Sequence, residues 1–206
     1  QTMNKYVYEN QQNLALGYMV NPTLEQWKIV EGDPFVTQND FVRLATDTQE
    51  ALFTPMTVSE PEVTGGMLTS TGEDKYFYER TADNGTLTWQ LTFTEQQDVY
   101  IYFEASHCEK LKVTIDGETE TYSDKRGHIV HLGQCDAGKV VTLDFPMDNE
   151  YDTGNVKLQM YAFNNNVFES AYTQLADAQL QVTDYDSTHV TGSIQASQDG
   201  LMLLSV

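Results

Sequence analysis

A strict alternation of apolar and polar residues constrains the fold of this chain more than any other feature. In residues 87–93 the apolar Leu, Trp, Leu and Phe alternate with Thr, Gln and Thr, which is the period of a β-strand with one buried face. The same period returns at residues 99–103, 111–115, 141–145 and 156–160. Evenly spaced strands of this kind predict a mainly β fold, an antiparallel β-sandwich that is jelly-roll-like.

Turn sequences separate these strands. Asp83-Asn84-Gly85 is a turn signal, and Asp116-Gly117 predicts a tight hairpin between Ile115 and Glu118. We therefore expect a central β-sandwich domain over residues 60–163.

Two helices are predicted, one on each side of that block. Asp33 and Pro34 form an N-cap followed by proline at the first helical position, so a helix is expected to about Asp47. The run 164–166 of three asparagines caps the second helix. The apolar stripes are Phe35, Phe41, Val42 and Ala45 in the first helix and Val167, Ala171 and Leu175 in the second.

Short strands are predicted outside the central block, at residues 6–8, 16–20, 27–30, 180–182 and 190–194. Together with the two helices they predict a second, smaller α+β layer. This layer is built from the N- and C-terminal segments, residues 1–59 plus 164–206.

The two ends of the chain look abrupt. Gln1 is not an initiator methionine, and Gly200–Val206 reads as a buried strand that stops without a turn or a partner. We therefore expect a piece of a longer protein, truncated at the C-terminal end of the outer α+β segment.

The charge excludes some partners. The net charge is -20, with only 11 lysines and arginines, whereas nucleic-acid binding needs basic residues to neutralise phosphates. Docking on an anionic membrane surface is excluded for the same reason. Such a chain suits cations, neutral sugars or positively charged partners, although the charge is also explained by solubility alone. No run approaches the roughly 20 apolar residues of a spanning helix, so we expect a soluble fragment that does not itself insert into a membrane.

Metal-binding residue types occur, but not in a known pattern. His107, Cys108, His128, His131 and Cys135 are possible ligands, yet their spacing matches no zinc motif. His128 and His131 lie three apart in a predicted strand and should point to opposite faces. We therefore expect ordinary histidines and cysteines here.

An acidic turn is the weak calcium candidate. Asp148, Glu150 and Asp152 stand at alternate positions, but Gly154 is at position seven rather than six of an EF-hand loop and no glutamate closes the loop. The alternatives, an irregular calcium site and a plain acidic turn, both stay open.

A Cys108–Cys135 disulfide is the other candidate, with two reduced cysteines as the default. In a simple meander the two residues fall at opposite ends of the sheet, beyond the Cα separation of about 7 Å that a bridge allows. Nothing in the chain indicates a catalytic nucleophile, since it has no G-x-S-x-G, and nothing indicates a cofactor.

Aromatic side chains are the remaining candidates for ligand binding. Trp89 shares the phase of the buried positions and is expected in the core, whereas Tyr76, Tyr78, Tyr100 and Tyr102 include positions that could be exposed and stack on sugar rings.

Several phrases along the chain resemble those of a known family, in the same order. Near the N-terminus they are Tyr8-Glu-Asn10, Leu14-Ala-Leu-Gly-Tyr-Met-Val20, Trp27, Asp33-Pro-Phe35, Gln38-Asn39, Leu44 and Leu52-Phe-Thr-Pro55. Near the C-terminus they are Phe168-Glu, Ala171-Tyr, Leu175, Leu180, Val182-Thr-Asp184, Thr188-His-Val190, Gly192, Asp199-Gly-Leu201 and Ser205-Val206. They resemble the C-terminal extracytoplasmic region of the bacterial membrane protein YfhO family, with the central block matching in pattern only.

The resemblance implies a multi-spanning, glycosyltransferase-like parent that uses lipid-linked sugars. Such proteins are implicated in decorating cell-wall polymers such as lipoteichoic acid in Gram-positive bacteria. Their catalytic acid is expected near the first spanning helices, so no catalytic residue carries over to this chain. The implied location is the extracytoplasmic face of the cell membrane, and the implied partners are the parent's own transmembrane domain and a cell-wall glycan.

Two functions from different classes follow. The first is a non-catalytic outer domain of a membrane glycosyltransferase-like protein that glycosylates cell-wall polymers. The alternative is a cell-surface carbohydrate-binding or adhesive β-sandwich module with no enzyme attached. The charge is a difficulty for the first, because a domain at -20 repels the phosphates of teichoic acid unless cations or D-alanyl groups intervene.

Overall fold

The computed structural model describes residues 12–123 and 126–204. They group into two units, residues 31–35 with 53–164 in one, and the described residues of 1–30, 36–52 and 165–206 in the other. We call the first the sandwich unit and the second the terminal unit. The predicted boundaries of independently folding domains, at residues 60 and 163, stay a prediction.

Strands dominate the described residues. In chain order they are β1 (Gly17–Val20), β2 (Phe53–Met56), β3 (Glu62–Thr64), β4 (Gly66–Gly72), β5 (Lys75–Arg80), β6 (Thr86–Thr92), β7 (Gln97–Ser106), β8 (Leu111–Ile115), β9 (Glu118–Tyr122), β10 (Arg126–Cys135), β11 (Val140–Pro146), β12 (Thr153–Phe163), β13 (Gln181–Tyr185), β14 (Val190–Ser193) and β15 (Leu201–Leu204). The helices are α1 (Pro34–Ala45), α2 (Asn165–Ala176) and a 3-10 helix at Pro22–Gln26.

The sandwich unit consists of two antiparallel sheets. The six-stranded sheet has the order β10-β7-β12-β5-β4, and β2 pairs with β12 beyond the end of β5. The five-stranded sheet has the order β3-β6-β11-β8-β9. The predicted antiparallel β-sandwich is thereby confirmed.

The apolar positions of the alternating strands form the core between these sheets. Leu87, Trp89 and Leu91 of β6 are buried, as the period of two predicts. The largest fully buried side chains of this core are Trp89, Tyr78, Phe103, Phe145, Leu87, Ile101, Leu111, Leu143, Met147 and Leu158.

The predicted hairpin between β8 and β9 is present. Ile115 pairs with Glu118, and the two turn residues Asp116 and Gly117 have φ of 52° and 86°. Positive φ at both central positions is the backbone that makes Asp-Gly favourable in a two-residue hairpin turn.

The terminal unit combines α1 from Val36 onward, α2 and two short sheets. β1 pairs with β15, and β13 pairs with β14. Val167, Ala171 and Leu175 form the buried stripe of α2, as predicted. These elements provide the smaller α+β part of the fold.

Two predicted strands need correction. β15 has β1 as its partner, and Met202 and Leu204 are almost half exposed, so the prediction of a buried, unpartnered strand is wrong. Residues 27–30 form no strand. The Trp27 indole N–H donates to Thr37 O at 3.0 Å and Val30 N donates to Thr37 Oγ1 at 2.9 Å, so this segment is bonded to a helix instead of a sheet. The predicted strand at residues 6–8 lies outside the described residues.

Candidate functional site

A groove of about 600 Å³ lies on the outer face of the six-stranded sheet, across β5, β12 and β7. Tyr76 of β5 and Val156 and Leu158 of β12 point into the core. Their neighbours Lys75, Asn155 and Lys157 therefore point outward. The polar residues that line the groove are Thr71, Lys75, Glu104, Ser106, Asn155 and Lys157. The packed core beneath these strands fixes the backbone positions from which the side chains project.

Lys157 is at the centre of this groove. It stands opposite Glu104 on β7 and Lys75 on β5. Its ammonium donates to the carbonyl oxygen of Gly32 and lies 5.3 Å from the centroid of the Tyr102 ring, within the range of a cation–π interaction. These two contacts hold the Lys157 ammonium towards β7, away from Lys75.

The Tyr102 hydroxyl completes this arrangement by donating to the Glu104 carboxylate. Burial and this hydrogen bond raise the pKa of Tyr102 to about 12. The phenol therefore stays protonated at neutral pH and keeps Glu104 as an oriented acceptor beside the groove.

Asp74 lies in the β4–β5 turn beside Lys157. Burial, and then the neighbouring Glu73, raise the pKa of its carboxyl above the ordinary value, while Lys157 lowers it. The Asp74 carbonyl accepts from Leu158 N at 2.9 Å, which ties the turn to β12.

The other part of the same sheet face is aromatic and closed. Phe35 is fully buried, with its ring centroid 4.4 Å from that of Tyr161 and 4.8 Å from that of Phe53. The Tyr161 hydroxyl donates to Asp33 at 3.4 Å. Residues 31–35 therefore cover this part, and the polar groove is the part that stays open.

The groove brings several kinds of polar group together. Hydroxyl, amide, carboxylate and ammonium groups offer both donors and acceptors in a small area. Ligand sites of this kind use a few fixed polar groups to set orientation.

The tyrosines predicted as a stacking platform are mostly not available to a ligand. Tyr76 and Tyr78 are core residues, and Tyr102 is 8% exposed beneath Lys157. Tyr100 is half-buried and stacks on His131, with ring centroids 4.2 Å apart. Trp89 is in the core, as predicted.

The acidic turn after β11 surrounds an arginine. Arg80 donates to the carbonyl oxygens of Tyr151 and Asn149 at 3.0 and 3.1 Å, and to Asp152 Oδ1 at 3.2 Å. Asp148 Oδ1 instead accepts from Glu150 N at 3.0 Å, closing its own turn. Among the described residues, Asp148, Glu150 and Asp152 do not come together as a metal site, and the Arg80 guanidinium occupies the centre of their turn.

The histidines lie apart from one another. His131 Nε2 donates to Asp98 at 2.5 Å on the outer face, whereas His128 packs near Phe103 of the core, so the two point to opposite faces as predicted. His107 stacks on Tyr151 at 4.0 Å. Within residues 12–123 and 126–204, no three His, Cys, Asp or Glu side chains come together as a metal site.

The structure does not bring Cys108 and Cys135 together. Both are buried thiols. Cys108 lies two residues after Ser106, the last residue of β7, whereas Cys135 pairs with Gln97, the first residue of that strand. At about 3.3 Å per residue the length of β7 separates them by roughly 30 Å, so they cannot be bridged in this fold.

The sequence did not single out the groove residues Lys75, Asn155 and Lys157. The outward phase of Asn155 and Lys157 is visible in the alternation of β12, but Lys75 of β5 and the residues of β7 are far away in sequence. Which outward residues become neighbours depends on the pairing of β12 with both strands, which no local pattern reveals.

A family model described as "Bacterial membrane protein YfhO" matches residues 1–206, the whole chain. The chain belongs to the YfhO family. The resemblance drawn from the short phrases is thereby confirmed, and the family is one of bacterial membrane proteins. In the part of the chain that the structure describes, no helix is long and apolar enough to cross a membrane. No curated protein matches the chain significantly.

Solved structures resemble this YfhO-family chain distantly. Insecticidal crystal protein Cry2Aa is 17% identical with a TM-score of 0.35, and the match covers 52% of this chain and 20% of that one. The C-terminal CBM6 of LamC from Zobellia galactanivorans is 8% identical with a TM-score of 0.35, covering 53% and 99%. The xylan-binding module CBM86 from Roseburia intestinalis is 9% identical with a TM-score of 0.37, covering 56% and 98%. Likenesses at this level carry no argument about ligands.

Proposed function

We propose that this chain is an extracytoplasmic, non-catalytic domain of a glycosyltransferase-like membrane protein of the YfhO family, and that its groove binds the glycan of a cell-wall polymer. Lipoteichoic acid is the polymer that we expect. The open groove on the six-stranded sheet is the observation that supports this proposal, because its fixed donors and acceptors suit a hydroxyl-rich ligand.

The lysines of the groove reduce the repulsion between this chain, with its net charge of -20, and the phosphates of teichoic acid. The chain has 11 lysines and arginines, and two of them, Lys75 and Lys157, stand opposite each other in the groove. Lys157 already contacts Gly32 O and Tyr102, whereas Lys75 is exposed. An anionic group of the polymer would therefore bind best next to Lys75, with sugar hydroxyls at Asn155 and Ser106.

Calorimetric titration of the chain with purified lipoteichoic acid tests this proposal. We expect saturable binding that Lys75→Gln and Asn155→Ala each weaken about tenfold, the effect of losing one good polar contact. Lys112→Gln is the matched control, because it changes the net charge equally but lies on β8 of the five-stranded sheet. Binding that is absent, or that Lys112→Gln weakens as much as Lys75→Gln, would overturn the proposal.

The same titration should be repeated in the presence of calcium. Because Arg80 occupies the centre of the acidic turn, we expect calcium to leave the affinity unchanged. Binding that required calcium would show that Asp148, Glu150 and Asp152 rearrange around the ion.

The side of the membrane is tested separately in the full-length parent. Ser187→Cys places a thiol in the exposed β13–β14 turn, whereas Cys108 and Cys135 are fully buried. We expect a membrane-impermeant maleimide to label this variant on intact cells above the level of the unsubstituted parent. Labelling only after the cells are broken would place the domain on the cytoplasmic side.

A further inference from the structure

A second opening, which we call the edge cleft, lies at the start of β7. It measures about 540 Å³ and is lined by Met56, Thr57, Ser59, Gln90, Leu91, Thr92, Phe93, Thr94, Gln97 and Met160. β3 pairs with residues 86–88 of β6 only. In the described residues this side of β6 therefore has no partner strand beyond Thr88, and the cleft opens there.

The lining of the edge cleft carries no charged residue, although the chain has 31 aspartates and glutamates. Met56, Leu91, Phe93 and Met160 belong to or pack on the apolar core, and the remaining lining residues end in hydroxyl or amide groups. An apolar floor with uncharged polar groups around it suits a neutral ligand that has both an apolar face and hydroxyls.

Gln97 indicates which polar group the ligand must provide. It shares the inward phase of Val99 and Ile101, so a polar side chain stands at the end of an apolar row. Its Oε1 is buried and has no hydrogen-bond partner among the described protein atoms. A buried acceptor of this kind is costly unless a donor reaches it.

The orientation of this amide is determined by its neighbour. Gln97 Nε2 donates to Glu95 Oε1 at 3.0 Å. A flipped amide would turn Oε1 towards the carboxylate, acceptor against acceptor, so the orphan atom is the carbonyl oxygen. The missing partner is therefore an O–H or N–H donor.

We propose that the edge cleft is a second ligand site, which binds a neutral sugar whose hydroxyl or amide N–H donates to Gln97 Oε1. Glu104 of the groove lies seven residues along β7 from Gln97, about 23 Å at strand spacing. The edge cleft is therefore separate from the groove and does not depend on the function proposed for it.

Two-dimensional NMR of the chain, titrated with glucose and with N-acetylglucosamine, tests the proposal. We expect binding with a dissociation constant of about 1 mM, with shifts at the amides of Thr57, Thr92 and Gln97. Glucuronate, which adds a carboxylate to glucose, should bind at least about tenfold more weakly because of the nearby Glu95. The absence of shifts with both neutral sugars would overturn the proposal.

Variants assign the shifts to the edge cleft. Gln97→Leu should abolish binding while keeping or raising Tm, because it removes the buried orphan acceptor. Gln97→Met is the second variant if leucine does not fit, and Gln134→Leu, at an exposed position of β10, is the matched control. Sugar binding that survives Gln97→Leu and Gln97→Met would contradict the proposal. So would shifts that Lys75→Gln removes, since the sugar would then occupy the groove.

Discussion

The sandwich unit and the terminal unit are built from similar short elements but differ in how much apolar surface each buries. In the sandwich unit one continuous core contains the inward residues of both sheets. In the terminal unit a core cluster is formed by Tyr18, Val20, Ala45 and Leu175, with a few half-buried residues around it. The strands β13 and β14 are exposed at every position.

This difference determines where a fixed ligand site can form. A binding surface needs side chains whose positions are held by packing beneath them, and the groove and the edge cleft both lie on strands of the sandwich unit. An isolated two-stranded hairpin is marginally stable in water, so β13 and β14 provide a less rigid support. The two units should accordingly respond differently to the loss of a buried side chain.

Truncating a buried leucine in each unit gives the largest expected effects. Leu143 is fully buried in β11, and we expect Leu143→Ala to cost about 4 kcal/mol, whereas Leu175→Ala in the smaller cluster should cost about 2 kcal/mol. The two tryptophans allow separate measurement, because Trp89 lies in the sandwich unit and Trp27 in the terminal unit. Denaturant unfolding is followed by tryptophan fluorescence in two backgrounds. Trp27→Phe leaves Trp89 to report the sandwich unit, and Trp89→Phe leaves Trp27 to report the terminal unit.

The same experiment can remove the distinction between the units. Transitions that coincide in both backgrounds, and that shift equally with either leucine variant, would show that the chain unfolds as one cooperative body.

The local sequence predicted many strands of the sandwich unit but not how distant strands and segments contact one another. The alternation around Trp89 and the Asp116-Gly117 turn involve neighbours in the chain, so their strands and hairpin were predicted. β2 was missed because Pro55 argues against a strand, although proline is tolerated at a sheet edge. Trp27 has β-propensity, but its indole bonds to a helix carbonyl, and tertiary contacts override such propensities.

The sites depended on contacts between distant parts of the chain. Arg80 lies about seventy residues before the turn that surrounds it, so three alternating acidic residues resembled a calcium loop. Gln97 was a detectable signal, since it breaks an inward apolar row, but its meaning depends on Glu95 and on the short length of β3. The family resemblance supplied an expected function without indicating any of these residues.

Replacing Arg80 tests whether polar contacts also stabilise the sandwich unit more. Its side chain is 13% exposed and bonds three groups of the turn, so Arg80→Gln should cost about 2 kcal/mol by leaving carbonyls without a donor. Arg43→Gln is the control in the terminal unit, where Arg43 pairs with Asp40 at an exposed position of α1. That pair should be worth less than about 0.5 kcal/mol. Equal losses in Tm for the two variants would contradict this ranking.

Asp74 gives a smaller effect with the opposite sign. Because burial and Glu73 raise its pKa in the folded state, folding favours the protonated form, and stability from this group is lost as pH rises through the raised pKa. Asp74→Asn should therefore stabilise the chain at neutral pH by less than about 0.5 kcal/mol, a figure reduced for solvent exposure. Asparagine tolerates the φ of 57° at this position.

Thermal unfolding of the wild-type chain and Asp74→Asn across the acidic range checks this sign. The difference in Tm should shrink as pH falls and the carboxyl takes up its proton. A difference that grew on acidification would show that Lys157 outweighs burial and Glu73 at this carboxyl.

The β13–β14 hairpin should give the smallest effect. Tyr185 is 78% exposed and Val182 is 44% exposed, so Tyr185→Ser and Val182→Thr should each change the free energy of unfolding by less than about 0.5 kcal/mol.

The turn between β13 and β14 is stabilised by Asp186, whose Oδ1 accepts from Thr188 N at 2.7 Å and His189 N at 2.8 Å. These hydrogen bonds lower the pKa of Asp186, so the turn should loosen only as pH falls through that lowered value.

Unfolding of the Tyr185→Ser variant, measured at two protein concentrations, checks the small effect expected for the hairpin. A large loss with Tyr185→Ser that depended on concentration would mean that the hairpin packs against a second copy of the chain, and the terminal unit would then owe its stability to that contact.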